Sequence, residues 1–307
     1  MKRILSVLLA LLMIFPFALA CAESDETSFI QTPVEEDDME GLFTPAIDVS
    51  LETYYKENGT LPDELEEALE PCDPFIPADV PLADPDDKAI IGHDDRVKIK
   101  NTKKYPYSAI GYMKVHASCG CSWTGTAFMI SKQCAMTAGH CLVCAEHGGH
   151  ADRFDIYFGY RKGGYVYHQK KGGQYWYGTD FYNGNGSYSY SGHEEWDYGF
   201  IVFNDKPGKT TGWFGFYAAD DNTLNSNYYE VCGYRNGDMR KSYTDVSPIS
   251  SNLIRHWADT KGGYSGCPVF DEDCYVVAIN ICHDSTANYA RRITGDLIGK
   301  LRAANAF

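Results

Sequence analysis

Between residues 104 and 295 the chain alternates short apolar stretches with glycine-rich turns, and this rhythm restricts its fold more than any other feature. Phe128-Met129-Ile130, Phe154 to Phe158, Tyr198 to Phe203, Tyr229 to Cys232 and Tyr275 to Ile281 have the length of strands rather than helices. Between them lie Gly163-Gly164, Gly172-Gly173, Asn183-Gly184 and Asn236-Gly237, dipeptides that punctuate tight turns. Such spacing suits a sandwich or barrels, not alternating β-α units. Only the tail has a helical pattern: from Asp296, the residues Leu297, Ile298, Leu301 and Ala304 share one face. Residues 160–195, rich in Tyr and Gly, are expected to form solvated hairpins. No internal repeat is present.

Residues 22–88 have a different character. They hold 21 acidic residues against two basic ones, and eight of the chain's 13 prolines. A segment so charged and so poor in aromatics buries little surface and is expected to be extended. One short helix is expected over residues 62–69, with Pro62 at its first position and acids in its first turn. The net charge of −15 therefore belongs to this segment, and the body that follows is close to neutral. No basic stripe is present, so nucleic acid is not an implied partner.

Residues 1–20 read as a signal peptide. Lys2 and Arg3 begin it, an apolar stretch runs to Leu19, and Ala18-Leu19-Ala20 is a small-x-small cleavage site. Cys21 directly after that site is also where a lipid could be attached, although Ala18 is a poor fit to lipoproteins. No later apolar run could span a membrane. The acidic segment ends at Asp84-Pro85-Asp86-Asp87-Lys88, and a lone lysine after an exposed run is an accessible cut site. The expected organisation is a signal peptide at 1–20, a propeptide at 21–88 and one catalytic unit at 89–307. The product is expected to be secreted and monomeric. Export implies an oxidising compartment, which makes the 11 cysteines candidates for disulfide bonds; nine of them follow residue 88, so at least one of those lacks a partner among them.

Three stretches carry chemistry. Thr137-Ala138-Gly139-His140-Cys141 sets a histidine among small residues, where the backbone can turn tightly and aim one ring nitrogen as a general base. Trp196-Asp197-Tyr198-Gly199 places a carboxylate at the mouth of an apolar strand, where it can hold a histidine in one tautomer. Thr260-Lys261-Gly262-Gly263-Tyr264-Ser265-Gly266-Cys267-Pro268 puts a serine at the apex of a glycine loop. There the N–H groups of Gly263 and Ser265 can converge on a developing oxyanion.

Taken in this order, these stretches make the chain resemble the chymotrypsin-like serine proteases, and within them the secreted glutamyl endopeptidase group of bacilli and staphylococci. Ile91-Gly92-His93-Asp94-Asp95-Arg96, Tyr105-Pro106-Tyr107, Asp259-Thr260 and Arg292-Ile293-Thr294 extend the likeness, which spans about residues 90–295 and is patchy between these anchors. The resemblance implies an all-β fold of two six-stranded antiparallel barrels with a C-terminal helix, the first barrel over about 104–200 and the second over about 201–295. It implies a catalytic triad of His140, Asp197 and Ser265, an oxyanion hole from Gly263 and Ser265, protein or peptide substrates, and no cofactor or metal.

It also implies a primary specificity pocket that includes Asp259, Thr260, Asn280 and His283. Asp259 stands six residues before the serine, where an unpaired carboxylate favours Lys or Arg. Thr260 is shared with the glutamyl group, whose usual histidine is replaced by Asn280. His283, three residues on, would face the other side of a regular strand. Tyr264 stands where animal trypsins carry an aspartate. The cysteine usual before the histidine motif is displaced to Cys119 or Cys121. Two other readings compete. One is a catalytically inactive homologue. The other is a zinc-binding module built on Cys119, Cys121, His140, Cys141, Cys144, His147 and His150.

Overall fold

The computed structural model of the protein describes residues 72–78, 94–144, 147, 149–170, 174–178, 193–304 and 306. The expected signal peptide, the helix expected at 62–69, the Lys88 cut site and the turns at 172–173 and 183–184 lie outside the described residues.

Strand β1 (Val97–Lys98) is followed by β2 (Ile110–Ala117), β3 (Ser122–Met129), β4 (Cys134–Thr137), β5 (Ala151–Phe158), β6 (Tyr167–Gln169), β7 (Gln174–Tyr177) and β8 (Gly199–Val202). Helix α1 (Gly208–Thr211), β9 (Gly215–Phe216) and helix α2 (Asp221–Ser226) lead into the second half. That half comprises β10 (Tyr229–Arg235), β11 (Asp238–Thr244), β12 (Val246–Pro248), β13 (Leu253–His256), β14 (Pro268–Phe270), β15 (Tyr275–His283) and β16 (Asn288–Arg292), and helix α3 (Gly295–Ala303) closes the chain.

The strands form two curled sheets, each a half-barrel. The first has seven strands in the order β6-β5-β2-β3-β4-β8-β7. The second has nine, in the order β1-β11-β10-β14-β15-β16-β13-β12, with β9 added in parallel to β15. Six strands in each was the expectation. The larger counts come from short pieces such as β1 and β9, which the hydrophobic rhythm does not mark because two residues carry no period. The body's first strand, β1, pairs with β11 and so belongs to the second sheet.

Local chemistry accounts for the connections. Asn236 and Gly237 have φ of +51° and +76° and close the hairpin whose last pair is Arg235 and Asp238. Two positive φ angles in a two-residue loop match the right-handed twist of the flanking strands. Helix α3 begins at Thr294, whose side chain accepts the Leu297 N–H, and buries Leu297, Ile298 and Leu301 as the pattern expects. Ala304 ends up half-buried, just past the helix. A continuous core joins Phe128, Phe154 and Phe158 of the first half to Phe214, Phe216 and Ile279 of the second. Each such side chain removed from water contributes about 1.5–3 kcal/mol. Packing of this kind fixes the two halves against each other, and hence the loops between them.

A piece of the acidic segment packs on the body. Cys72 exchanges backbone hydrogen bonds with Phe216, and Phe75 with Trp213, at 2.9–3.0 Å. The Phe75 ring stacks on Trp213 with centroids 4.2 Å apart, and the Tyr275 hydroxyl donates to Asp73 at 2.7 Å. The segment is extended here, as its composition suggests, but held as a strap along β9. No helix among the described residues is long and apolar enough to cross a membrane.

Candidate active site

His140 lies in a single 3-10 turn, Gly139–Cys141, directly after β4. Asp197 ends another such turn, Glu194–Trp196, just before β8. Strands β4 and β8 pair with Thr137 opposite Gly199, which brings the two turns together. The fully buried Asp197 carboxylate then engages His140 twice. Its Oδ1 accepts the His140 backbone N–H and its Oδ2 bonds Nδ1, both at 2.8 Å. Gly139 leaves the necessary room, since a Cβ there would lie 2.9 Å from the Tyr198 carbonyl and 3.2 Å from Asp197 Oδ1. Burial alone would pull the imidazole down, but the adjacent Asp197 carboxylate and Cys141 outweigh it. His140 is therefore raised well above its ordinary value.

Arg291 supports this corner from the other half. Its guanidinium donates to the Glu195 carbonyl and packs over the Tyr198 ring, 5.5 Å from its centroid. The Lys300 ammonium reaches the Tyr198 hydroxyl at 2.9 Å. Asp197 is thus held between two residues that are themselves tied to β16 and α3.

Ser265 sits half-buried in the loop between β13 and β14. The loop is fastened to the His140 side by several contacts. Thr126 donates its N–H to the Ser265 carbonyl at 2.9 Å and its hydroxyl to the Gly263 carbonyl at 2.8 Å. The Cys141 thiol, next to His140, reaches the Ser265 carbonyl at 3.6 Å. Gly266 has φ +83° and no space for a side chain; a Cβ would lie 2.2 Å from Thr137 Oγ1 and 2.3 Å from the Thr126 carbonyl. Gly263 has φ +99°, and a Cβ there would lie 2.6 Å from the Tyr234 carbonyl. These approaches bring Gly263 and Ser265 beside the segment that carries His140. Tyr264, in the place where trypsins carry an acid, lies under the Arg96 guanidinium, 5.4 Å from the ring centroid.

A cavity of about 230 Å³ opens in the same half, lined by Trp257, Asp259, Thr260, His283, Asp284 and Asn288 among others. Asp259 is not unpartnered: its Oδ2 accepts the Asp95 backbone N–H at 2.8 Å. Burial pushes the Asp95 carboxyl up, and the nearby Asp259 adds to the rise. The Thr260 hydroxyl meets Asn288 Oδ1 at 2.5 Å, while the Asn288 amide donates to the Ala258 carbonyl at 2.7 Å.

Asn280 does not line this cavity. It is buried, its Oδ1 3.0 Å from His256 Nε2 and its Nδ2 donating to the Tyr264 carbonyl at 3.2 Å. His283 does line it, although three residues from Asn280 on the same strand. The two do not share the cavity, and the β15–β16 pairing shifts register between Asn280 and Cys282, so the strand is not regular between them. Among the expected site residues, His140, Asp197, Ser265 and Gly263 are therefore grouped at one place. Asp259, Thr260 and His283 are grouped at another, and Asn280 stands behind both. Thr126, Arg291 and His256 were not singled out in the sequence. Nothing there marks them, since each acts through a long-range contact.

No disulfide bond joins any two of the ten described cysteines, and Cys21 lies outside the described residues. The Cys141 sulfur lies 2.9 Å from where a Cβ on Gly125 would be. Cys119 and Cys121 are gathered elsewhere, with Cys144 and His147.

The fold and its neighbours define a serine protease of the chymotrypsin-like class, an endopeptidase. A solved structure of Glu endopeptidase in complex with MPD superposes with a TM-score of 0.60 at 20% identity, covering 71% of this chain and 99% of that one. The glutamyl endopeptidase of Bacillus licheniformis is 30% identical over 251 residues, 80% of this chain and 70% of its own length. The chain belongs to the glutamyl endopeptidase family. A protein named extracellular metalloprotease from Bacillus subtilis is 29% identical over 232 residues, 70% of this chain and 69% of its own. No family model matches the chain.

Proposed function

We propose that the protein is an exported endopeptidase that cleaves peptide bonds through an acyl-enzyme on Ser265. The observation that carries this reading is the His140–Asp197 pair, with bonds of 2.8 Å to a fully buried carboxylate, beside the tightly fastened Ser265 loop. With Nδ1 held by Asp197, Nε2 is left to accept the Ser265 proton as Oγ attacks the substrate carbonyl, and later to deliver it to the leaving amine. The N–H groups of Gly263 and Ser265 stabilise the oxyanion. In a protein that still folds, Ser265→Ala lowers turnover of a peptide substrate by roughly a millionfold. Comparable activity in that variant would refute the assignment.

In the same reading residues 1–20 direct export, and the segment up to Lys88 keeps the enzyme inactive until it is cut there. The strap at 72–78, hydrogen-bonded to Trp213 and Phe216, supports a leader that binds its own body. N-terminal sequencing of the active secreted enzyme should give Ala89, and a start far from it would overturn the maturation scheme. The product works outside the cell as a monomer on protein substrates.

Cleavage after Lys or Arg is the specificity that the cavity favours. Its lining carries two carboxylates, Asp259 and Asp284, and neither Lys nor Arg. The contact at Asp259 is a backbone N–H, from Asp95, and not a cationic side chain. The Thr260 hydroxyl proton is directed at Asn288 and so is not offered to a substrate carboxylate. Cleavage after glutamate, which the name of the Bacillus licheniformis relative would carry over, is the alternative that a substrate assay separates.

A further inference from the structure

The first half-barrel holds a cluster that the proposed chemistry does not use. Cys119, Cys121, Cys144 and His147 each direct one ligand atom to a common point, and all four atoms lie within 4.8 Å of one another. Cys121 Sγ is 3.2 Å and Cys144 Sγ 3.7 Å from His147 Nδ1. A tetrahedral zinc ion, with Zn–S near 2.3 Å and Zn–N near 2.0 Å, sets its ligand atoms about 3.5–3.8 Å apart. The cluster needs to contract by no more than about an ångström to reach that geometry. From these four positions we infer that the protein binds one structural zinc ion through three thiolates and one imidazole.

The backbone gathers the ligands before any metal arrives. Cys119 and Cys121 flank Gly120, whose φ of +86° turns the β2–β3 connection so that both thiols come from one tip. The tip is closed by Gly120 N–H to the Ala117 carbonyl at 2.8 Å and Ala117 N–H to the Cys121 carbonyl at 2.9 Å. Opposite it runs the loop that follows His140. There Cys144 N–H donates to the Gly149 carbonyl at 2.7 Å, and Ser118 N–H to the His150 carbonyl at 3.1 Å. Gly149 permits the approach, because a Cβ there would sit 2.7 Å from Cys119 Sγ. Two elements far apart in sequence are thus brought to contact at the sulfur atoms.

Disulfide bonding explains this arrangement less well. It would join two of the three thiols at about 2.05 Å and leave the third beside a histidine with no role. Zinc uses all four groups. Three thiol protons leave for solvent, the imidazole stays neutral, and the site carries a net charge of −1. Four protein ligands complete the tetrahedron, so no position is left for a reactive water, and the ion is structural rather than catalytic. It would staple the β2–β3 tip to the loop between Cys141 and Ala151, the stretch that leaves the His140 turn. The expectation of no metal fails under this inference, and of the seven residues in the competing zinc reading Cys119, Cys121, Cys144 and His147 are the ones gathered.

The full chain, prepared with zinc and without reductant and then dialysed against a mild chelator, is the material for the test. About one zinc per chain by elemental analysis, and an intact mass without the loss of two hydrogens per disulfide, are expected. Cobalt(II) in place of zinc should give a thiolate-to-metal charge-transfer band. Cys121→Ser and His147→Ala should each retain at least about tenfold less metal, whereas Cys282→Ser, outside the cluster, should retain it all. Should a cluster variant fail to fold, the wild-type metal content and cobalt spectrum still decide. A disulfide joining any two of the three cysteines, absence of metal from folded protein, or a cobalt spectrum without the thiolate band would overturn the inference.

Discussion

Each half of the molecule places one histidine in or beside the site, and the two have opposite fates. His140, in the first half, meets the Asp197 carboxylate at 2.8 Å and is raised well above its ordinary value. His256, in the second, meets the Asn280 amide at 3.0 Å and is drawn down by burial to about 4. Desolvation acts on both in the same direction, so the partner decides. A carboxylate offsets the cost of a buried cation and an amide oxygen does not. Among the described residues His256 Nδ1 has no hydrogen-bond partner, so a second proton there would be buried without an acceptor from them. The ring stays neutral, and its Nε2–H donates to Asn280 Oδ1. One histidine is arranged to gain and lose a proton, while the other works as packing that holds Asn280 and, through it, the Tyr264 carbonyl.

Removing the carboxylate is the hardest blow to this contrast. Asp197→Asn should lower turnover about 10⁴-fold, since the imidazole loses its fixed tautomer. It should also move the pH profile. His140 must be neutral to accept a proton, so the wild-type acid limb should lie above 6.5, in the direction of its shift. In the variant Cys141 alone opposes burial, and the limb should move to lower pH than in the wild type. The stabilising effect of the charged pair has the opposite sign: it is present at acid pH and lost as pH rises through the folded value. An acid limb that does not move between the two proteins would show that Asp197 does not set the His140 proton affinity.

His256 makes the complementary case through stability. Its folded value near 4 lies below the ordinary 6.5, so between these limits the unfolded chain binds more protons than the folded one. The stability it contributes is complete above pH 6.5 and is lost as pH falls toward 4. The total is on the order of 3 kcal/mol. Denaturant titrations at pH 7.5 and 4.5 on wild type and His256→Gln would read it. The variant keeps an N–H donor for Asn280 but cannot titrate, so its acid-side loss should be smaller. Equal losses in both proteins would mean that His256 is not buried neutral.

The chemistry was legible in the sequence to a degree that the surroundings were not. His140 among small residues, Asp197 ahead of an apolar strand and Ser265 among glycines are local arrangements, and the structure gathers His140, Asp197 and the Ser265 loop through the β4–β8 pairing and Thr126. Apolar runs marked β5, β8, β10, β15 and the end of β3, and a face marked α3, whereas β2, β11 and β16 were not marked by one. What escaped depends on distance. Thr126 clamps Gly263 from 137 residues away, and Arg291 holds Glu195 from 96. His283 lines the cavity and Asn280 does not, with a register shift between them that the sequence does not mark. Asn280 occupies a place the resemblance associates with the pocket, yet its contacts run to His256 and Tyr264 in the interior.

The smallest expected effect concerns the cavity, where the partner rule applies to a substrate instead of a histidine. A Lys or Arg side chain entering beside Asp259 would find a carboxylate held by one neutral donor, the Asp95 N–H, with Asp284 on the same wall. Asp284 is itself held well below the usual carboxylate range by the hydroxyls of Tyr289 and Thr286, so it stays charged wherever the enzyme is active. A glutamate entering the same space would meet both charges, and among the described lining residues His283 is the one basic side chain. Parallel assays on peptides that differ only in Lys, Arg, Glu or Asp at the cleaved residue should favour the basic pair. Asp259→Asn should then lower the Lys-to-Glu ratio about tenfold, or about 1.4 kcal/mol, with little change in the rate on an uncharged substrate. The loss is modest because Asp284 remains and the cavity is open to water, which screens the charge. A preference for glutamate that Asp259→Asn leaves unchanged would show that the charge of the lining does not select the substrate. Recognition would then rest on a cation supplied from outside this wall.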